Sequence, residues 1–113
     1  MQLRQRGDLA DLQFDILISY SGNVAYPAVI LHGAAKNLYY TIAPTPVGVW
    51  THRIVPLVGA GWKVNSWTGA AATDADMLEV LSDLKGLYIN AEWRSGPDMT
   101  YLDNVILAGI EPF

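Results

Sequence analysis

The sequence predicts an all-β protein, an antiparallel β-sandwich or jelly roll with one short α-helix near residues 73–85. Apolar residues alternate with polar ones in several short runs, which is the pattern of strands with one buried face. Turn-forming residues separate these runs, and the runs are rich in Val, Ile, Tyr and Trp, which suit a pleated surface. Short strands joined by turns, with a single helix on one connection, indicate a sandwich and not a series of parallel βαβ units.

The clearest strand signal lies at residues 12–20. Its apolar positions are Leu12, Phe14, Ile16 and Ile18, and polar residues stand between most of them. Because successive side chains of a strand point to opposite faces, we expect these four residues to share the core face.

Two hairpins are predicted. Residues 28–31 and 38–42 read as antiparallel strands around a turn at 33–37. Near the end of the chain, residues 87–93 and 101–107 flank a second turn signal and therefore predict a terminal hairpin.

A further strand is predicted at residues 49–57, with Trp50, His52 and Ile54 on one face. Tryptophan on the strand of a sandwich usually packs in the core. We therefore expect Trp50, together with Trp62 further along the chain, to be core residues.

The hydrophobic period becomes helical over residues 71–84. Its apolar positions are Met77, Leu78, Leu81 and Leu84. Such spacing predicts one helix that packs this stripe on the core and exposes an opposite face containing Asp76, Glu79 and Asp83.

Both ends of the predicted helix carry capping signals. Thr73 is the expected N-cap, with Asp76 three residues later in the capping-box position. Lys85 and Gly86 are expected to end the helix, Lys85 as a cation near its negative end and Gly86 as a left-handed cap.

The composition fits one globular domain spanning residues 1–113. Hydrophobic residues make up 51% of the chain and charged residues 16%, which argues against disorder, and no apolar run is long enough to span a membrane. The net charge is −4 and the basic residues are scattered, which argues against a nucleic-acid partner. The absence of cysteine excludes disulfides and thiolate metal sites.

Four segments in the second half of the chain resemble the closing part of laminin B (laminin domain IV) domains. These are residues 61–64, 77–84, 87–92 and 102–107, which read GWKV, MLEVLSDL, LYINAE and LDNVIL. Each segment alone is unspecific, and the resemblance depends on all four in the same order and spacing. It implies a galactose-binding-like sandwich in a non-catalytic structural or adhesive module that is extracellular or at the cell surface.

Domains of that family carry additional N-terminal strands, and many follow a signal peptide. The start of this chain has neither those strands nor the apolar segment of a signal peptide, so the resemblance implies a domain shortened at its N-terminus. A shortened sandwich exposes a sheet edge, which we expect a protein partner or self-association to cover.

The resemblance also implies a candidate calcium site. In related jelly rolls an aspartate at the start of the last strand helps to hold a structural calcium ion, and Asp103 takes that place here, with Asp98 as a second candidate ligand. Calcium requires six to eight oxygen ligands, so these two residues supply only part of a site. A solvated or turn-capping role for both aspartates is the simpler interpretation.

Four aromatic residues form a candidate sugar-binding platform: Tyr39, Trp67, Trp93 and Tyr101. Flat rings with a polar group suit the apolar faces of sugars. A carbohydrate-binding module, free or attached to an enzyme, is therefore the alternative function. No converging set of amides and carboxylates accompanies these rings in the sequence.

Catalysis is not predicted. His32 and His52 have no acidic or cysteine partner at ligand spacing in the sequence, so a zinc or general-base role has little support. Among the apolar positions, we expect Leu81 and Val105 to be buried, so that truncation of either costs stability.

Overall fold

The computed structural model describes residues 3–5, 10–18, 29–42, 47–90 and 100–112. They form two antiparallel sheets, a two-stranded ribbon and one helix, which confirms the predicted all-β sandwich. The elements in chain order are β1 (Leu3–Gln5), β2 (Asp11–Ile18), β3 (Val29–Gly33), β4 (Asn37–Tyr40), β5 (Thr51–Pro56), β6 (Trp62–Val64), α1 (Asp74–Ser82), β7 (Leu84–Ile89), β8 (Thr100–Ala108) and β9 (Ile110–Pro112).

The first sheet has three strands in the order β5-β2-β8, and both pairings are antiparallel. Its central strand, β2, buries every second residue, and the buried ones are the four that the alternation predicts: Leu12, Phe14, Ile16 and Ile18. This sheet thus presents one apolar face to the core and its other face outward.

The second sheet has four strands in the order β6-β4-β3-β7. The predicted hairpin at its centre is confirmed: Leu31 of β3 lies opposite Leu38 of β4, and both are buried. Its turn is closed by the N–H of Gly33, which donates to the carbonyl oxygen of Lys36 at 3.0 Å. Strands β1 and β9 pair as a separate antiparallel ribbon.

The core lies between the two sheets and the helix. Trp62 of β6 is fully buried, as predicted, and its Nε1 donates to the carbonyl oxygen of Pro56 at 2.7 Å, which satisfies the polar atom of the indole. Tyr40 packs against it with ring centroids 5.1 Å apart. The buried hydrophobic residues are Ala10, Leu12, Phe14, Ile16, Ile18, Val29, Leu31, Leu38, Val55, Leu57, Trp62, Met77, Val80, Leu81 and Leu84.

The helix begins as the sequence predicts. The Thr73 side chain accepts from the N–H of Asp76 at 3.1 Å, and Asp76 Oδ2 accepts from the N–H of Thr73 at 2.9 Å, which completes a capping box. The predicted C-terminal cap is wrong. The helix ends at Ser82, and Gly86 lies in β7 opposite His32, because strand pairing with β3 begins at Leu84.

The buried stripe of the helix differs from the predicted one at one position. Met77, Val80 and Leu81 are buried, but Leu78 is 48% exposed. Only one side of this helix contacts the sheets, and Leu78 lies outside that narrow sector.

The predicted terminal hairpin is also wrong. Over the described residues, β7 pairs with β3 of the four-stranded sheet, whereas β8 pairs with β2 of the three-stranded sheet. The chain therefore crosses from one sheet to the other between these strands. Alternation within a strand does not specify the strand with which it pairs.

Trp50 is not a core residue, in contrast to the prediction. It is 51% exposed, and Ile54, which the alternation predicts on the same face, is exposed as well. The register explains the error: Val55 lies opposite buried Leu12, whereas Ile54 lies opposite Gln13 on the outward side of the sheet.

Val105 is 46% exposed instead of buried. Strand β8 contains a bulge at this point, because Gln13 pairs with Ile106 and Asp15 pairs with Asp103, so that one residue of β2 faces two of β8. The extra residue interrupts the alternation from which burial of Val105 was predicted.

Candidate interaction surface on the three-stranded sheet

We use the name outer face for the side of the three-stranded sheet that points away from the core. Residues directly opposite each other on antiparallel strands share a face, so the register assigns its members. They are Asp11, Gln13, Asp15 and Leu17 of β2, His52, Ile54 and Pro56 of β5, and Tyr101, Asp103, Ile106 and Ala108 of β8.

A polar row crosses the centre of the outer face. Asp15 lies opposite His52 on one side and opposite Asp103 on the other. Its Oδ1 is 2.6 Å from His52 Nδ1, and its Oδ2 accepts from Asn104 Nδ2 at 2.8 Å. Both oxygens of this carboxylate are therefore engaged by side chains from the two neighbouring strands.

These contacts favour the ionised form of Asp15. The hydrogen bond from Asn104 and then the hydrogen bond and positive charge of His52 lower the pKa of Asp15, and these effects outweigh desolvation, which acts in the opposite direction. The carboxylate of Asp15 at the centre of the row is thus ionised at neutral pH.

The second nitrogen of His52 extends the network along the sheet. His52 Nε2 is 3.2 Å from Gln13 Oε1, while Gln13 Nε2 donates to Asp11 Oδ1 at 3.0 Å. Both ring nitrogens of His52 thus have an oxygen atom of β2 within hydrogen-bond distance.

Asn104 owes its position to the bulge in β8. Its φ angle is 53°, in the left-handed region that asparagine tolerates better than most residues. Its N–H donates to Asp103 Oδ1 at 2.8 Å. A bulge redirects side chains, and here it brings the Asn104 amide over the sheet towards Asp15.

Exposed apolar side chains concentrate around this polar row. Of the eleven large hydrophobic residues that are exposed in the described part of the chain, eight lie in β5, in β8 or directly before β5. These eight are Val47, Val49, Trp50, Ile54, Tyr101, Leu102, Val105 and Ile106. A cluster of this kind marks an interaction site more often than scattered exposed residues do.

The four aromatic residues of the predicted sugar platform are placed as follows. Tyr101 lies on the outer face, but Tyr39 lies in β4 of the other sheet, paired with Ile30 and Lys63. Trp67 is exposed on the turn after β6, and Trp93 lies outside the described residues. The structure therefore places only Tyr101 of this set beside the polar row.

The candidate calcium ligands are also only partly described. Asp103 is exposed on the outer face and accepts from its neighbour Asn104, whereas Asp98 lies outside the described residues. Within the described ranges, no group of three or more His, Cys, Asp or Glu side chains is arranged to hold a metal ion.

The polar row is the part of the surface that was missed at the sequence level. His52 does have an acidic partner, Asp15, but the two are 37 positions apart. A signal was present, because Gln13 and Asp15 are polar positions of an alternating strand and so belong to its outward face. Their partners depend on the register between strands, which the alternation does not give.

None of the helices in the described part of the chain is long and apolar enough to cross a membrane.

Comparison with known proteins agrees with the predicted resemblance. The sequence model that describes the laminin B (Domain IV) family matches residues 10–111. The solved L4b domain of human laminin alpha-2 has a similar fold, with a TM-score of 0.75 at 17% sequence identity, over 88% of this chain and 59% of that chain. This chain thus corresponds to less than two thirds of that solved chain. No curated protein matches it significantly. Since the family model covers nearly the whole sequence, this chain belongs to the laminin B (Domain IV) family, and this membership indicates an extracellular structural module.

Proposed function

We propose that this chain is a non-catalytic adhesive module that joins a larger extracellular protein assembly through the outer face and the exposed edge of β8. The observation that carries the proposal is the concentration of exposed apolar residues in β8, in β5 and in the segment directly before β5. Ile54 and Ile106 both lie opposite Gln13, so that they frame the same point of the outer face from both sides.

The edge strand β8 supports this proposal. Leu102 lies opposite buried Ile16 and so faces the core side, yet it is exposed, as are Tyr101 and Ile106 on the outer face. Apolar groups on both faces of an edge strand are a surface that another protein can cover. The bulge at Asn104 limits continuous strand pairing along this edge, so contact through side chains is favoured over addition of a long strand.

The chemistry of the polar row also fits an adhesive role better than a catalytic one. Both oxygens of Asp15 and both ring nitrogens of His52 are already engaged by neighbouring side chains. Because this network connects side chains of all three strands, it stabilises their register and makes the surface rigid. A rigid surface suits binding.

A binding experiment with a matched control tests the proposal. Proteins of the source organism's extracellular fraction are immobilised, and retention of the whole chain is compared with that of the Ile54→Lys/Ile106→Lys variant. The control is Leu78→Lys, which changes a residue of similar exposure on the helix. We expect the double variant to lose most of its retention and the control to keep it, with unchanged circular dichroism in both. Equal retention of all three proteins would contradict the proposal.

A carbohydrate-binding role is the second candidate. It is favoured by the exposed ring of Tyr101, which lies two residues from the carboxylate of Asp103 on the outer face. A glycan array tests it: binding that disappears in Tyr101→Ala or Trp93→Ala, with an unchanged thermal midpoint, supports this role. Absence of binding to any glycan counts against it.

Structural calcium at Asp103 and Asp98 is a separate proposal. It predicts that the thermal midpoint of the whole chain rises with calcium concentration, because a ligand that binds only the folded state stabilises it. The rise should be lost in Asp103→Asn. A midpoint that is the same in EDTA and in millimolar calcium excludes the ion.

A further inference from the structure

The outer face has an ordered pattern of charge and apolar groups. Along the strands, its central row contains Asp15, Asp103 and His52, and the next row on one side contains Ile54 and Ile106. On the other side lie Leu17 and Tyr101, which are paired with each other. Rows two residues apart are separated by about 7 Å, so an acidic centre lies between two apolar borders.

Within the described part of the chain, the lysines lie away from the outer face. Lys36, Lys63 and Lys85 lie in the four-stranded sheet or in its hairpin turn. Arg53 lies opposite Phe14, on the core side of β5. Among the side chains that the structure describes, the outer face thus has three aspartates and no lysine or arginine. Its basic group is His52, which is paired with Asp15.

We infer that the outer face binds an extended segment of a partner protein in which an arginine is flanked, two residues away on each side, by apolar residues. Side chains of an extended segment on one side repeat every two residues, about 7 Å apart, which matches the spacing of the rows. Arginine fits the centre because its guanidinium group binds carboxylates through two parallel hydrogen bonds and also stacks on aromatic rings. Asp103 supplies the carboxylate, and Tyr101 lies two residues away. This inference rests on the proposed function and adds the chemistry of the partner.

The state of Asp15 supports this assignment. The hydrogen bonds from Asn104 and His52 lower its pKa, which favours the ionised form of its carboxylate. The same bonds hold its carboxylate in place, which leaves Asp103 as the carboxylate better placed to meet a partner. Asp103→Asn is therefore the informative change, since asparagine keeps the oxygen that accepts from the N–H of Asn104 and removes only the charge.

Selection from a phage-displayed library of random dodecapeptides against the immobilised whole chain tests the inference. We expect the selected peptides to be enriched in arginine with apolar residues two positions before and after it. For a synthetic peptide of this kind, Asp103→Asn should weaken binding about two- to fivefold, the usual range for one exposed charge pair, and raised salt should weaken it further. Asp83→Asn, which removes an exposed carboxylate at the end of the helix, should leave binding unchanged.

The outcomes separate this inference from the proposed function. Selected peptides that lack arginine, or that bind Asp103→Asn as well as the unchanged chain, overturn the inference. If their binding is still lost in Ile54→Lys/Ile106→Lys, the proposed function stands. Selection that yields no peptide sensitive to that double variant overturns the inference and counts against the proposed function as well. A dimer in sedimentation that Ile106→Lys abolishes would assign the face to a second copy, and glycan binding that Tyr101→Ala abolishes would assign it to a sugar. Either result overturns the inference.

Discussion

Lys36 and Asp76 connect the central hairpin of the four-stranded sheet to the first turn of the helix. Lys36 Nζ lies 2.7 Å from Asp76 Oδ1 and 2.8 Å from Glu79 Oε2. Since Asp76 Oδ2 also accepts from the N–H of Thr73, one carboxylate joins the helix cap to the neighbouring hairpin. The acidic face that the sequence predicts as solvated is thus partly used to anchor the helix.

This ion pair predicts how stability depends on pH. The hydrogen bonds from Lys36 and Thr73 lower the pKa of Asp76 from 3.8 to about 2, and those to Asp76 and Glu79 raise the pKa of Lys36 from 10.5 to about 12. The contribution of Asp76 is therefore present above about pH 3.8 and is lost as the pH falls through 2. The contribution of Lys36 is present below about pH 10.5 and is lost as the pH rises through 12.

Lys36→Met tests this dependence through the thermal midpoint measured across pH. We expect the loss of stability at alkaline pH to disappear. The loss of stability at acidic pH should become smaller but remain, because Thr73 still donates to Asp76. Lys85→Met, which removes an exposed partner of Asp83, is the control. It should not change the thermal midpoint noticeably at either acidic or alkaline pH. If the thermal midpoint of Lys36→Met depends on pH as that of the unchanged chain does, the ion pair contributes nothing to stability.

Leu81 and Val105 should differ sharply when each is replaced by alanine. Leu81 is buried in the core, so Leu81→Ala removes contacts and leaves a cavity, at a cost of about 2 to 5 kcal/mol. Val105 is half exposed on an edge strand, so its replacement should cost no more than about 0.5 kcal/mol. Urea denaturation followed by tryptophan fluorescence measures both. Similar losses for the two variants would contradict the position of the bulge in β8.

The helix start and the buried face of β2 could be predicted from the sequence because each depends on neighbouring residues. Thr73 and Asp76 form the cap within one turn, and the alternation of β2 repeats every two positions. The outward position of Trp50 could not be predicted in the same way. It depends on the pairing of β5 with β2, a relationship between residues about forty positions apart.

The candidate site shows the same division. The aromatic character of Tyr101 and the acidic character of Asp103 were evident, but their common location on one face was not. It follows from the pairing of β8 with β2 across most of the chain and from the bulge that brings Asn104 to Asp15. The strand pairing and the bulge together place Tyr101 and Asp103, which were separate candidates in the sequence, on one surface.

Asn104 offers a test of the bulge itself. Both Asn104→Ala and Asn104→Gly remove the hydrogen bond to Asp15, but only glycine accepts the left-handed backbone without a penalty. We expect the alanine variant to be less stable than the glycine variant by about 1 kcal/mol. Denaturant titration of the two variants gives this difference directly. If alanine is as stable as glycine, residue 104 does not have a positive φ angle in solution.

Gly59 provides the last prediction, on the close approach of a loop to the helix. Its N–H donates to Asp74 Oδ1 at 2.8 Å, and a Cβ atom at this position would lie 2.6 Å from the backbone nitrogen of Asp74. Because backbone atoms cannot move aside as a flexible side chain can, Gly59→Ala must displace the loop or the start of the helix, at a cost of about 1 to 3 kcal/mol.

Gly48→Ala is the matched control for Gly59→Ala. Gly48 has a φ angle of 75° but nothing lies within 4 Å of the added Cβ atom, so its replacement measures backbone strain without a clash. We expect a loss of about 1 kcal/mol there and a larger loss at position 59, where Trp62 three residues later should also report the displacement through its fluorescence. The prediction fails if Gly59→Ala is as stable as Gly48→Ala and its tryptophan emission is unchanged. The added Cβ atom would then have more room than the 2.6 Å to the backbone nitrogen of Asp74 allows.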